Sequence, residues 1–357
     1  MRDEPDTSRP ALERADSSET SAAFRSAPER ARSPETSAAF CIALERADLS
    51  AIRKIPKADL HVHGCAGGRM PRYRDWSGMN LPEAPESFPD FADFDHYLLV
   101  SLGAPYIGKG DARTLECMHF MLADALRAAI EEGVVLLEPS VDCTFLALYG
   151  DDPERMVDDV HRVIADTLAS AGNPPIEIRP ELGMARGVPL DFIGSAVPRL
   201  IKTGFFHSVD LYGDERVGSV TDYAPFFRLA GELGLRRKAH AGELCPAANV
   251  RESVDVLGLD AVQHGIAAAD DPRLMEYLAR KGIVLNVCPT SNVRLCRAPS
   301  LARHPLRRLI DAGVACTVNS DDLIVFDSSV AEEFLKLWQT GVFTAEELDR
   351  IRLTGLR

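Results

Sequence analysis

The chain has 357 residues, 46% of them hydrophobic and 26% charged, and its formal charge is −14. That composition is ordinary for a soluble globular protein, no apolar run reaches the ~18 residues of a membrane span, and the length suits one large α/β barrel or two ordinary domains. Residues 1–50 hold 7 basic and 10 acidic side chains, so the remainder is itself acidic; this argues against nucleic acid, whose phosphates need clustered Lys and Arg, and favours a small, weakly charged substrate.

Met1 to Asp6 lack the apolar core of a secretory signal, which makes a cytoplasmic location the expectation. Residues 1–50 repeat with a period of sixteen: Glu19 to Phe24 recurs as Glu35 to Phe40, and Ala11 to Ala15 returns unchanged at 43–47. The unit is short for a solenoid, and Ser, Pro, Ala and charge leave little to bury, so residues 1 to about 48 read as a disordered or weakly helical tail. A docking arm is the functional alternative. Eight cysteines, none in a Cys-x-x-Cys pair, are spread along the chain, which speaks against both a disulfide framework and a cysteine zinc site.

From Ile55 short apolar runs alternate with longer amphipathic stretches, the pattern of βα units. Strands are expected at 57–63, 133–139, 176–183, 206–212, 236–241, 260–264, 282–288 and 314–320, with helices such as Leu115 to Glu132, Pro153 to Ala171, Tyr223 to Leu233 and Asp271 to Lys281 between them. Eight such units predict a (β/α)8 TIM-type barrel over residues 51–357. About 70 residues separate the first strand from the second, and Trp76, Phe88, Phe91, Phe94 and Tyr97 give that insertion enough apolar surface to pack as a lid over the barrel mouth.

Ligand-type residues recur at strand ends. His61 and His63 alternate on one strand and so point the same way; His240 and Glu243 flank Gly242; His264 follows Gln263; Asp321-Asp322 follow the eighth strand. Each has a bland reading taken alone: polar core histidines, a Gly-containing turn with a solvent-facing Glu, or acids that cap the next helix. Together they stand at one end of a parallel barrel, where strand ends converge on one site. Three imidazoles and a carboxylate suit zinc and leave a position for water, whose pKa falls toward ~7 there. Glu243 beside such a site could carry a proton, and His264 could orient the nucleophile.

The segments Pro56 to His63, Asp210 to Glu215, His240 to Glu243, Val287 to Asn292 and Asn319 to Asp322, in this order, resemble the signature segments of the adenosine deaminase family. The resemblance implies a (β/α)8 barrel with one zinc per chain on His61, His63, His240 and Asp321. It implies Glu243 as proton donor to the purine ring nitrogen beside the attacked carbon, His264 as the residue that orients the hydroxide, and Asp322 and the Gly213 amide as contacts to the base. It also implies release of ammonia from an adenosine-type purine base or nucleoside.

The chain departs from the pattern in three places. Where adenosine-specific members follow the His-x-His with Leu-Asp-Gly, it reads Gly64-Cys65-Ala66, so the carboxylate that meets the ribose hydroxyl is replaced by Cys65, and another aminopurine, a modified nucleoside or a pterin-like ring becomes an alternative substrate. Glu138 is followed by Pro139-Ser140 rather than by the usual x-Arg, and the chain stops at Arg357 where relatives continue through another helix. Two readings stand beside the deaminase: a two-metal amidohydrolase, which the absence of a lysine at the end of Asp210 to Gly213 disfavours, and a barrel kept as a binding or scaffold protein. Oligomeric state is not legible.

Overall fold

Parallel strands need long crossovers, and helices between apolar runs supply them. The computed structural model describes residues 31–357. Its strands are β1 (Lys57–His63), β2 (Val134–Asp142), β3 (Glu177–Ile178), β4 (Glu181–Ala185), β5 (Ser208–Tyr212), β6 (Arg236–Ala241), β7 (Ala261–His264), β8 (Val284–Val287) and β9 (Ala315–Val318). The helices are α1 (Pro34–Glu45), α2 (Leu49–Lys54), α3 (Met70–Ser77), α4 (Phe91–Ser101), α5 (Asp111–Glu131), α6 (Pro153–Ser170), α7 (Leu190–Lys202), α8 (Val220–Glu232), α9 (Ala247–Leu257), α10 (Pro272–Lys281), α11 (Pro289–Arg294), α12 (Leu306–Asp311), α13 (Leu323–Phe326), α14 (Val330–Gln339) and α15 (Ala345–Gly355).

All pairings are parallel, in the order β1-β2-β4-β5-β6-β7-β8-β9, and β3 sits on β2. The run expected at 176–183 is divided because Pro180 has no N–H to give the ladder; Arg179 N–H makes the last bond before it, to Leu137 O at 2.8 Å. The sheet then returns to its first strand. Asp321 N–H donates to His61 O at 2.9 Å, Val62 and Asp321 form a parallel bridge, and Leu60 N–H donates to Asn319 Oδ1 at 2.9 Å. This is the eight-stranded TIM-type barrel that the apolar runs predict.

Strand residues alternate faces. Val209, Leu211, Ala239, Ala241, Val262 and Leu285 join the helices' apolar stripes in one large core. The residues between them meet one another inside the barrel and are polar. Lys238 Nζ lies 2.5 Å from both Glu138 Oε2 and Glu181 Oε2 and donates to Leu60 O at 3.2 Å. Asn286 bonds Gln263 Oε1 at 2.8 Å and Thr317 Oγ1 at 2.9 Å, and Thr317 in turn accepts from Asn319 Nδ2 at 2.9 Å. A hydrogen-bonded polar floor therefore lies beneath the strand ends.

The expected tail needs correction. Residues 1–30 of it lie outside the described residues, but from Ala31 onward the chain is packed: α1, whose first turn is capped by Ser33 Oγ accepting from Thr36 N at 3.2 Å, buries Phe40, Ala43 and Leu44. Those three stand at i, i+3 and i+4 and make one apolar stripe despite the polar composition around them. The Phe40 ring meets Phe334 edge-on at 5.2 Å, and the Arg352 guanidinium, 5.2 Å from the same ring, donates to Ala31 O at 3.0 Å and Pro56 O at 2.8 Å. The domain therefore begins before residue 51.

The insertion after β1 forms its own apolar cluster. Tyr73, Phe88, Phe91, Phe94 and Tyr97 pack together, Phe94 stacks on Phe326 of α13 at 5.7 Å, and Phe88 N–H donates to Arg294 O of α11 at 2.7 Å. Among the described residues no helix is long and apolar enough to cross a membrane.

Candidate active site

The strand ends place the ligand-type residues in one spot. His61 and His63 leave β1 on the same side, their rings 5.8 Å apart; His240 is the next-to-last residue of β6 and His264 ends β7, and each ring stands within 5 Å or so of His61, at 4.7 Å and 4.5 Å. Asp321 follows β9, its Oδ1 3.6 Å from His63 Nε2 and 3.8 Å from His61 Nε2. Its other oxygen is 3.8 Å from His264 Nε2, and Glu243 Oε2 is 3.4 Å from the same nitrogen. His63, His240, His264, Glu243, Asp321 and Asp322 line a cavity of about 760 Å³ that also reaches Cys65 and Gly213; His61 sits just below it.

Local backbone conformation makes these positions possible. His264 and Asp321 both adopt the left-handed region, at φ +60° and +59°, where non-glycine residues are uncommon and Asp and His are among the better tolerated. Gly242, at φ +73°, is pressed against Val250 and Ala267, so a side chain there would collide. The turn it makes is held by Glu215, whose carboxylate accepts from the N–H groups of Gly242, Glu243 and Leu244 at 2.7, 2.8 and 2.9 Å. Gly64, which stands where the family pattern has a bulkier residue, faces Ser140 O at 2.5 Å from where a Cβ would be, so the end of β1 lies flush against β2.

Hydrogen bonds assign the imidazole protons. His61 Nδ1 faces the Asn286 carbonyl at 3.2 Å, and His240 Nδ1 lies 3.1 Å from an Asp210 carboxylate oxygen. Both acceptors call for N–H on Nδ1, which leaves the two Nε2 lone pairs facing each other at 3.1 Å. Two lone pairs at that distance repel unless a cation lies among them. Burial holds both rings well below the ordinary histidine range, so neither carries the charge that would relieve the contact. His61, His63 and His240 bring ring nitrogens within 4.8 Å of one another, and Asp321 stands 3.8 Å and 3.6 Å from two of them, a donor set that suits a divalent metal.

The acids around this set are pushed the other way. Burial, reinforced by the Asp321 and Glu215 charges, raises the Glu243 carboxyl well above the usual carboxylate range. Burial and the Asp321 charge raise Asp322 to about 7, with His63 opposing.

Every site residue expected from the sequence thus falls in or directly under one cavity. Asp210, Glu215, Asn286, Asn292 and His304 were not singled out, although they hold the others in place. Asp210, Glu215 and Asn292 lay within the resembling segments, whereas nothing in the sequence marks His304.

A parallel barrel with imidazoles and acids gathered at its C-terminal strand ends, beside a glutamate whose carboxyl is raised by burial, has the parts of a metal-assisted hydrolase. The sequence model of the adenosine deaminase family matches residues 56–357. The chain is 31% identical over 310 residues to a Treponema pallidum protein provisionally named adenosine/adenine deaminase, covering 85% of this chain and 99% of that one. Among solved structures, it resembles adenine deaminase from Arthrobacter aurescens (TM-score 0.69, 25% identity, 83% of this chain and 91% of that one). An amidohydrolase from Burkholderia ambifaria with bound Zn shares the fold (TM-score 0.69, 21% identity, 87% and 86%). The chain belongs to the adenosine deaminase family, and it is a deaminating hydrolase rather than a barrel retained for binding.

Proposed function

We propose that the chain is a zinc-dependent hydrolytic deaminase that replaces the exocyclic amino group of an adenine-type purine, base or nucleoside, with oxygen and releases ammonia. The observation that carries this reading is the 3.1 Å approach of two imidazole lone pairs, His61 Nε2 and His240 Nε2, beside Asp321 and across from Glu243, whose carboxyl burial raises well above its ordinary range. His61, His63, His240 and Asp321 would hold one zinc, which when bound acidifies a water ligand enough to make it a nucleophile near neutral pH.

The remaining roles belong to side chains of the chain itself. Glu243 gives its proton to the ring nitrogen next to the attacked carbon, which makes that carbon more electrophilic. His264 orients the attacking oxygen and balances its developing charge. Asp322 and the backbone amide of Gly213 bind the base.

The acids along the cavity, Asp95, Asp142, Asp214 and Asp322 beside the reacting centre, face a single arginine, Arg186, and this lining disfavours a phosphate ester. Cys65 offers a half-buried thiol, its pKa pushed up by desolvation, in place of a carboxylate that would hold a ribose hydroxyl. That favours the free base over the nucleoside, in keeping with the adenine deaminase name of the Arthrobacter aurescens relative. The test is metal analysis of the purified protein together with ammonia release from adenine. About one zinc per chain is expected, and Glu243→Gln should keep that zinc while losing turnover. A metal-free active enzyme, or a Glu243→Gln variant as fast as the parent, would refute the proposal.

A further inference from the structure

We propose that His304, on the loop before α12, is a positioning residue that fixes the tautomer of His264 through the side chain of Asn292. Its importance for turnover rests on the role given to His264 above; the tautomer itself does not.

The chain of donors begins at the backbone. Leu306 N–H can only donate, and it points at His304 Nδ1 from 3.0 Å, so that nitrogen accepts and the ring's proton is on Nε2. His304 is 3% exposed, and burial lowers its pKa to about 4, so the ring carries this one proton only. His304 Nε2–H then faces Asn292 Oδ1 at 3.3 Å, which decides the orientation of the amide: the oxygen lies toward His304 and the nitrogen toward the site. Asn292 Nδ2 has two hydrogens and no acceptor capacity. It stands 3.1 Å from His264 Nδ1 and 3.4 Å from Glu243 Oε1.

Both of those atoms must accept, with two consequences. His264 has its lone pair on Nδ1 and its proton on Nε2, aimed at Glu243 Oε2 and Asp321 Oδ2, 3.4 Å and 3.8 Å away. Glu243 accepts through Oε1, so Oε2 is the oxygen left to carry the proton it transfers. Three residues outside the cavity lining thereby determine which atoms inside it donate. If His304 Nε2–H is removed, nothing anchors the amide oxygen; a flipped Asn292 presents Oδ1 to His264, draws the proton to Nδ1 and leaves a lone pair where a donor is needed.

The test combines a direct reading of the tautomer with kinetics. Long-range 1H–15N correlation spectra of ring-labelled full-length protein, loaded with zinc, distinguish the two neutral forms of a histidine, and a His264→Gln control assigns the signal among nine histidines. In the parent, His264 should show the proton on Nε2. Asn292→Asp, nearly isosteric but without a donor, should move it to Nδ1 and lower kcat by roughly 10³–10⁴-fold, the scale of a misassigned catalytic imidazole, with KM and zinc content little changed. His304→Gln, which keeps a donor toward Asn292, should retain the tautomer and most of kcat, whereas His304→Leu should lose both. A proton on Nδ1 in the parent, or an unchanged His264 spectrum in Asn292→Asp, overturns the proposal. If the tautomers behave as expected and no purine releases ammonia, the relay stands and the proposed reaction falls.

Discussion

Replacing Lys238 with methionine probes the polar floor on which the site rests. The ammonium is fully buried, 2.5 Å from one carboxylate oxygen of Glu138 and 2.5 Å from one of Glu181, with Leu60 O as a third partner at 3.2 Å. Lys238→Met keeps most of the volume and removes the ammonium that pairs with both acids, leaving Glu138 the longer contacts of Arg179 at 3.7 Å and Arg236 at 3.8 Å. Breaking a buried ion pair from one side costs about 3–5 kcal/mol, because the partner is left uncompensated. At about 2 °C per kcal/mol for a chain of this size, the melting temperature should fall by roughly 6–10 °C.

Urea unfolding followed by circular dichroism supplies the free energy, and its pH dependence supplies a sign. Burial raises Glu138, but Lys238 and Arg236 outweigh it and hold the carboxyl below its ordinary range, so in the parent this group's stabilisation is lost as pH falls through its folded value. Glu181 goes the other way: burial outweighs Lys238 and raises it to about 7, and without Lys238 it should rise further, so the folded variant binds that proton more tightly than the unfolded chain and its stability should rise on going from pH 8 toward 5. The triple variant Lys238→Met, Glu138→Gln, Glu181→Gln removes all three charges and should recover much of the loss. A single variant within about 1 kcal/mol of the parent, or a triple variant no better than the single, would refute this account.

Three further outcomes are expected. Phe40→Ala removes a fully buried ring from α1 and should cost about 3–5 kcal/mol in the same unfolding experiment; no change would mean that the segment does not pack on the barrel. His304 has a folded pKa of about 4 against an ordinary 6.5, so the unfolded chain binds the proton more readily between those values and stability falls as pH drops through that window, by about 3 kcal/mol; His304→Gln should lose less over the same range. Cys65→Asp restores a carboxylate acceptor at the cavity wall and should raise kcat/KM for adenosine relative to adenine roughly ten- to hundredfold, and a constant ratio would place sugar recognition elsewhere.

The reading of the sequence succeeded where periodicity and chemistry coincide. Alternation put His61 and His63 on one face, and the apolar runs before His240, His264 and Asp321 placed all of them at one barrel end. It failed at α1, because composition averages over a helix while burial needs only three side chains at i, i+3 and i+4; Phe40, Ala43 and Leu44 meet that need inside a polar repeat. It also missed the supporting groups. Asp210 and Asn286 act by offering an oxygen to a ring nitrogen, and His304 reaches the site only through Asn292, 12 positions earlier in the chain. Such partners are chosen by three-dimensional proximity, for which a linear spacing rule has no counterpart.

The left-handed backbone at His264 and Asp321 has an evolutionary reading. Non-glycine residues in that region each sacrifice on the order of 1 kcal/mol, which glycine would return. Selection for stability alone therefore pushes both positions toward glycine or asparagine, and only selection for chemistry holds an imidazole and a carboxylate there. A descendant of this barrel that no longer needed turnover would be expected to show it first at these two positions, becoming more stable as it fell silent.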